Sequence, residues 1–222
     1  MDIEKITVEI CGNKAIITSP SHNGSQHKKT LKVDTLVKAF QEQGTGIQSP
    51  LLPLGTIKYK EKGNSAILII YSPPAKFNAQ YQSDTFENCI RPGLVMRFNL
   101  GVRDNTYNLI DTYVWAVKEA PLFLNENTPL YALPFPNISD KGWVCWGGTN
   151  TLAGSLRSLM GLPVYIDRLF GAPFNNDLFQ GALFRHAGFD TPRGLFEFLK
   201  DKEEFPESLY VDAGYNTKLG GI

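Results

Sequence analysis

The chain has 222 residues, 42% hydrophobic and 12% aromatic, enough apolar content to build a buried core and to exclude an intrinsically disordered chain. Lys and Arg number 22, as do Asp and Glu, so the formal net charge is zero and the overall balance gives no electrostatic footprint for nucleic acid or an anionic membrane. No apolar run approaches the roughly 20 residues of a membrane span, and Met1-Asp2-Ile3-Glu4-Lys5 lacks the basic-then-apolar order of a secretory leader. Cys11, Cys89 and Cys145 share no metal-ligand spacing. The expectation is a cytoplasmic protein with reduced thiols and no metal or cofactor, whose partners include neither nucleic acid nor membrane.

In chain order, Ile3 to Ile10 alternates apolar and polar residues, Gly12-Asn13 makes a turn, and Ala15 to Thr18 returns as a β-hairpin. Ser19 to Lys29 is polar and reads as a loop. Asp34 suits the N-cap of a helix running to about Gln43. Gly44 to Pro53 is a linker-like break. Its Gly44-Thr45-Gly46 lacks the strand that a phosphate-binding loop requires, so nucleotide binding is not supported. Thr56 to Lys60 and Ala66 to Tyr71 form a second hairpin around Gly63-Asn64, and Ile67 to Tyr71 is apolar throughout, as a central strand would be. Residues 75 to 92 read as polar and irregular. Leu94 to Phe98 opens a strand, Arg103-Asp104-Asn105 is a turn, and Tyr107 to Val117 is a long strand with Tyr113 and Trp115 on one side. Thr128 to Leu133 is a short strand. Thr151 to Met160 reads as a short helical turn, and Pro163 suits the first turn of a helix through Phe170. Thr191-Pro192 opens another helix to about Lys202, with Leu195, Phe198 and Leu199 buried. Gly214 to Ile222 reads as a flexible tail. Antiparallel strands followed by helices give the α+β class.

One stretch stands out: Pro134-Phe135-Pro136-Asn137-Ile138-Ser139-Asp140-Lys141-Gly142-Trp143-Val144-Cys145-Trp146-Gly147-Gly148. The prolines end the preceding strand because they cannot donate to a ladder. Ser139 to Gly142 is a tight turn. A cysteine held between turn-formers and bulky aromatics is placed as catalytic groups on rigid loops are placed.

This stretch resembles the active-site loop of ubiquitin-conjugating (UBC-fold) enzymes, in which His-Pro-Asn is followed by a glycine turn, an apolar residue and the catalytic cysteine. Pro136-Asn137, Gly142 and Val144-Cys145 stand at those places, and Asn137 and Cys145 are eight positions apart, the spacing usual for that loop. Phe135 departs from the histidine, and Trp146-Gly147-Gly148 departs from the aliphatic run of eukaryotic members. These departures, with Leu169 to Asp177, are more similar to the bacterial branch, prokaryotic UBC-like family D, which includes protein B of the plasmid-borne PRTRC systems. The resemblance covers roughly residues 90 to 180. It implies a UBC-like antiparallel β-meander with helices on one face, expected over residues 55–205; the residue pattern, not the resemblance, gives the hairpin-and-helix extension before it, 1–54, and the tail after it, 206–222. It also implies a transferase that accepts a ubiquitin-like modifier protein on Cys145 as a thioester and passes it to the lysine of a protein substrate. The implied pathway partners are a ThiF-like activating enzyme, which would spend the ATP, and a JAB-type isopeptidase.

Each candidate residue has a plainer reading beside the chemical one. Cys145 is either the acyl-carrying nucleophile or a buried apolar cysteine. The side-chain amide of Asn137 either donates to the oxyanion that forms when an amine attacks the thioester, or only braces its own turn. The resemblance makes Asp177 the acidic group that positions or deprotonates the acceptor lysine; a helix-end cap is the plainer role. His186, with Cys145, opens the alternative of a cysteine hydrolase, and a surface histidine is its plain reading. A UBC-fold module that binds partners without catalysis is the other alternative. The terminal Leu219-Gly220-Gly221-Ile222 is similar to the di-glycine end of ubiquitin-like modifiers with one residue added, and otherwise reads as a free end.

Overall fold

A computed structural model describes residues 7–20, 25–37, 49–147, 155–212 and 217–222. It divides the chain into two units, Met1–Ser49 and Pro50–Ile222. The start of the expected first strand at Ile3, His22, the helix beyond residue 37, Gly44-Thr45-Gly46, Gly148, residues 151–154 and the tail at 214–216 lie outside the described residues.

The first unit is a three-stranded antiparallel sheet in the order β1 (Thr7–Cys11), β2 (Lys14–Pro20), β3 (Gln26–Lys32). Gly12, at φ +59°, closes the β1–β2 hairpin. β3 corrects the loop reading of Ser19 to Lys29. Gln26, His27, Lys28 and Lys29 are all exposed, and a lysine-rich edge strand shows no apolar alternation for a sequence reading to find. Helical turns begin at residue 33, so Asp34 lies inside the first turn rather than before it.

The second unit carries a six-stranded antiparallel sheet. Its strands are β4 (Thr56–Lys62), β5 (Ser65–Ser72), β8 (Gly93–Arg103), β9 (Thr106–Val117), β10 (Tyr131–Ala132) and β11 (Val211–Asp212), ordered β11-β10-β9-β8-β5-β4. Asp104 and Asn105 both take left-handed angles, φ 49° and 56°, in a two-residue turn whose twist matches the strands it joins. The strand expected over Thr128 to Leu133 shortens to β10, since Pro129 and Pro134 stand on either side.

β6 (Ala75–Tyr81) and β7 (Asp84–Arg91) pair only with each other, as a hairpin outside the sheet. This corrects the irregular reading of residues 75 to 92. The core-facing members, Phe77, Ala79, Tyr81, Phe86, Cys89 and Ile90, alternate with or are interrupted by Lys76, Asn78, Gln80 and Glu87, which diluted the apolar signal.

The helices are α1 (Val164–Gly171), α2 (Gly181–Phe184) and α3 (Pro192–Leu199). The Thr191 hydroxyl accepts from the Gly194 amide at 3.2 Å and starts α3. α3 ends three residues short of the expected Lys202 and buries Phe196 where Phe198 was expected. Helices and the β6–β7 hairpin lie over one face of the sheet. Leu68, Ile70, Met96, Phe98 and Val114 meet Tyr165, Leu169, Phe170, Phe196 and Leu199 in one continuous core. Burying each such side chain contributes about 1.5–3 kcal/mol.

The opposite face buries Ile69, Tyr71, Val95, Trp115, Val117 and Leu130, against which Leu219 and Ile222 pack. The described end of the tail is therefore held. Leu130 donates to Thr217 O at 2.9 Å, Leu219 to Thr128 O at 2.9 Å, and Lys58 Nζ to Ile222 O at 2.9 Å. Two apolar residues in a glycine-rich segment give no periodicity to mark this.

Candidate functional site

The cysteine loop is built as a miniature extension of the sheet. Val144 donates to Thr112 O at 3.0 Å, and Val114 donates to Gly142 O at 2.8 Å, which ties the loop to β9. Across the loop, Ile138 pairs with Val144, Ser139 donates to Trp143 O at 2.9 Å, and Gly142 donates to Ser139 O at 2.9 Å. The Ser139 hydroxyl accepts from Trp143 N at 3.0 Å. Gly142 has φ +83°, and a Cβ there would lie 2.7 Å from Val114 O and 2.8 Å from the Trp115 ring, so no other residue fits.

Two main-chain hydrogen bonds then bring the candidate residues together. Cys145 N donates to Asn137 O at 2.8 Å, and Asn137 N donates to Asp177 O at 2.9 Å. Asn137 takes the left-handed angle φ 65°, which asparagine tolerates better than most residues. Among the described residues its side-chain amide has no hydrogen-bond partner, so the bracing role of a turn asparagine falls to its backbone instead. Asp177 is fixed from the other side: its amide donates to Asn175 Oδ1 at 2.6 Å, and its carboxylate accepts from Asn175 Nδ2 at 2.9 Å. Asn176 Oδ1 accepts from the Tyr81 hydroxyl at 2.6 Å, and Phe174 N donates to Gln80 O at 2.7 Å, anchoring this turn to the β6–β7 hairpin.

Cys145, Asn137 and Asp177 line one cavity of about 680 Å³. Val164, Leu169, Ala172 and Pro173 give it an apolar wall, and Asp167 and Arg168 stand on the same side, all from α1 and the turn after it. Cys145 is partly exposed. Trp146 lies edge-on to Tyr165, ring centroids 5.4 Å apart, and fixes the chain just beyond the cysteine.

Phe135 stands where the resembled loop has histidine, and its surroundings account for the change. It is fully buried, with Phe170, Phe77 and Phe174 at ring-centroid distances of 5.3, 5.6 and 6.3 Å. An imidazole there would leave a polar nitrogen in an aromatic cluster.

His186 lies elsewhere. Its Nε2 is 2.7 Å from Ser208 O, and it is not among the residues of the Cys145 cavity. Cys89 is fully buried with Sγ 3.5 Å from Phe86 O and from Phe196 O, and burial pushes its thiol up to about 11. Cys11 is exposed, and no His, Cys, Asp or Glu cluster among the described residues is arranged to hold a metal. None of the described helices is long and apolar enough to cross a membrane.

Asp167 and Arg168 were not singled out in the sequence. Their signal was the helix beginning at Pro163: its buried face, Ile166, Leu169 and Phe170, leaves these two on the other side.

A strand-rich layer with helices over one face, and a cysteine on a proline- and glycine-bounded loop at its edge, define an α+β protein of E2-like kind. The profile of prokaryotic E2 family D matches residues 32–213, most of the chain, and the chain belongs to that family. Comparison with curated proteins and with solved structures gave no match.

Proposed function

We propose that this chain is a conjugating enzyme that accepts a ubiquitin-like protein on Cys145 as a thioester and delivers it to an amine. The observation that carries this reading is the pair of main-chain bonds, Cys145 to Asn137 and Asn137 to Asp177, which bring a thiol, a side-chain amide with no partner among the described residues and a carboxylate to one cavity. In the first step the Cys145 sulfur attacks the activated carbonyl carbon of the modifier. A carbon–sulfur bond forms, the activating group leaves, and the thiol proton passes to solvent. In the second, a neutral amine attacks the thioester carbonyl. Asn137 donates to the oxygen as it becomes negative, and Asp177 takes or orients the amine proton. The carbon–sulfur bond then breaks and releases the Cys145 thiolate.

The partners this implies are a ubiquitin-like modifier, an activating enzyme that spends ATP, and a protein bearing an acceptor lysine. The strand order β4-β5-β8-β9, antiparallel and followed by the cysteine loop, supports the UBC-like reading of residues 55–205. The place of His186 beside Ser208 gives the hydrolase alternative no support.

The test uses the full chain with its activating enzyme, modifier and ATP. The wild type forms an adduct that thiols destroy. Cys145→Ser forms none or a thiol-resistant oxyester, because an alkoxide leaves far less readily than a thiolate. Asp177→Ala loads normally and discharges to lysine more slowly, by about 10²-fold if it acts as the base. An adduct that persists on Cys145→Ala overturns the assignment.

A further inference from the structure

A second cavity of about 380 Å³ adjoins the first, sharing Asp167 and Gly171 with it, and is lined by α1 and the β6–β7 hairpin. Its walls include Lys76, Phe77, Arg91, Asp167 and Phe170. Arg91 is 8% exposed, the single buried ionisable cation among the described residues. Its guanidinium donates to Pro73 O at 2.8 Å, to Ser72 Oγ at 3.0 Å and to Pro92 O at 3.4 Å, and it lies 5.4 Å from the centroid of the Phe170 ring. None of these groups is an anion. The ion pairs among the described residues do not include Arg91, so none of their carboxylates lies within 4.0 Å of it. Desolvation accordingly lowers its pKa, which the more distant Asp167 partly offsets. Asp167 is exposed and is the one carboxylate on this wall.

A buried cation held by neutral groups is stabilised far less than one that meets a counter-charge. Here a counter-charge has room to enter. Lys76, on the same wall, places a second cation at the rim; its own partner, Glu203, is 84% exposed and readily displaced by a better anion.

We propose that this cavity binds a small oxyanion, a carboxylate or a phosphate group, with Arg91 as its planar donor at the base and Lys76 at the rim. Phe77 and Phe170 flank the carbon chain that carries it. The site stands on its own geometry and does not depend on the thioester reading.

The test is an amide-resolved NMR titration of the full chain, with N-acetylglutamate in one arm and phenyl phosphate in the other. The expected result is saturable shifts at the amides of Lys76, Phe77, Arg91 and Gly171 in at least one arm; the arm that binds names the source of the oxyanion. Arg91→Met abolishes the shifts. Because a buried substitution can also unfold the chain, two exposed positions decide independently: Lys76→Glu weakens binding by on the order of tenfold, and Asp167→Asn strengthens it. Absence of saturation in both arms up to the order of 10 mM, beyond the millimolar end of specific binding, overturns the proposal. Equal binding by Lys76→Glu and wild type does the same.

Discussion

The amide of Cys145 donates to the carbonyl of Asn137 at 2.8 Å, so the thiol and the side-chain amide are set by one main-chain bond although eight residues separate them. The left-handed φ of 65° at Asn137 makes it possible to remove the amide without disturbing this bond. Asn137→Gly relaxes at that angle, whereas Asn137→Ala adds about 1–2 kcal/mol of backbone strain. With thioester formation and discharge measured separately, Asn137→Gly loads like the wild type and discharges more slowly, by up to the order of 10²–10³. Wild-type discharge by Asn137→Gly would show that the amide is not the oxyanion donor.

Gly142→Ala tests how rigidly the loop is seated. The added Cβ meets Val114 O and the Trp115 ring at under 3.0 Å, both part of the sheet rather than a yielding side chain. The angle alone costs about 1–3 kcal/mol. A lower thermal midpoint is expected, together with loss of loading, because Cys145 moves with the turn. An unchanged midpoint would contradict the packing described for Trp115.

Cys89 gives a pH prediction. Its thiol is pushed up to about 11 by burial, above the ordinary thiol range of about 8.5. Between these values the unfolded chain loses this proton and the folded chain keeps it. Stability from this group is therefore full below about 8.5 and falls as pH rises toward 11, by on the order of 1.4 kcal/mol per unit. Cys89→Ala flattens the alkaline limb of a denaturation-midpoint profile. In native protein at pH 8, a disulfide reagent titrates Cys11 and Cys145, and Cys89 reacts only after unfolding; rapid reaction of all three native thiols would count against its burial.

Leu219→Ala probes the held tail. Leu219 is partly buried on the face formed by Ile69, Val95 and Trp115, so the expected loss is about 1–2 kcal/mol, below the ~2–5 of a fully buried leucine. Urea midpoints measure it. Loading at Cys145 is unaffected, since the tail and the cavity share no lining residue. A midpoint equal to wild type would show that the tail contributes nothing in solution.

Where the sequence was legible, two signals agreed. The apolar run Ile67 to Tyr71 and the Asp104-Asn105 turn marked β5, β8 and β9, because there hydrophobic pattern and turn chemistry point the same way. Pro136-Asn137, Gly142 and Cys145 marked the loop for the same reason. β6 and β7 went unread because Asn78, Gln80, Gln82 and Asp84 carry polar side chains outward while the hairpin is held by its partner strand and by α1 and α3. That Asp177 would reach Asn137 through its carbonyl was not readable at all: the contact depends on how Phe174 and Asn176 seat the turn on β6. Arg91 is hidden for a similar reason, since burial of a charge is a property of what folds over it.

The bonds from Val144 to Thr112 and from Val114 to Gly142 make the cysteine loop a continuation of the sheet rather than a flap at its edge. Its opening is therefore coupled to fraying of β9, which lies between β8 and β10. The amide protons of Val114, Val144 and Cys145 then exchange with solvent deuterium on the schedule of a core strand, orders of magnitude more slowly than those of an ordinary surface loop. On the proposed reading, Cys145 keeps its place in the sheet as modifier and acceptor come and go, and room for them is made on the α1 side of the cavity.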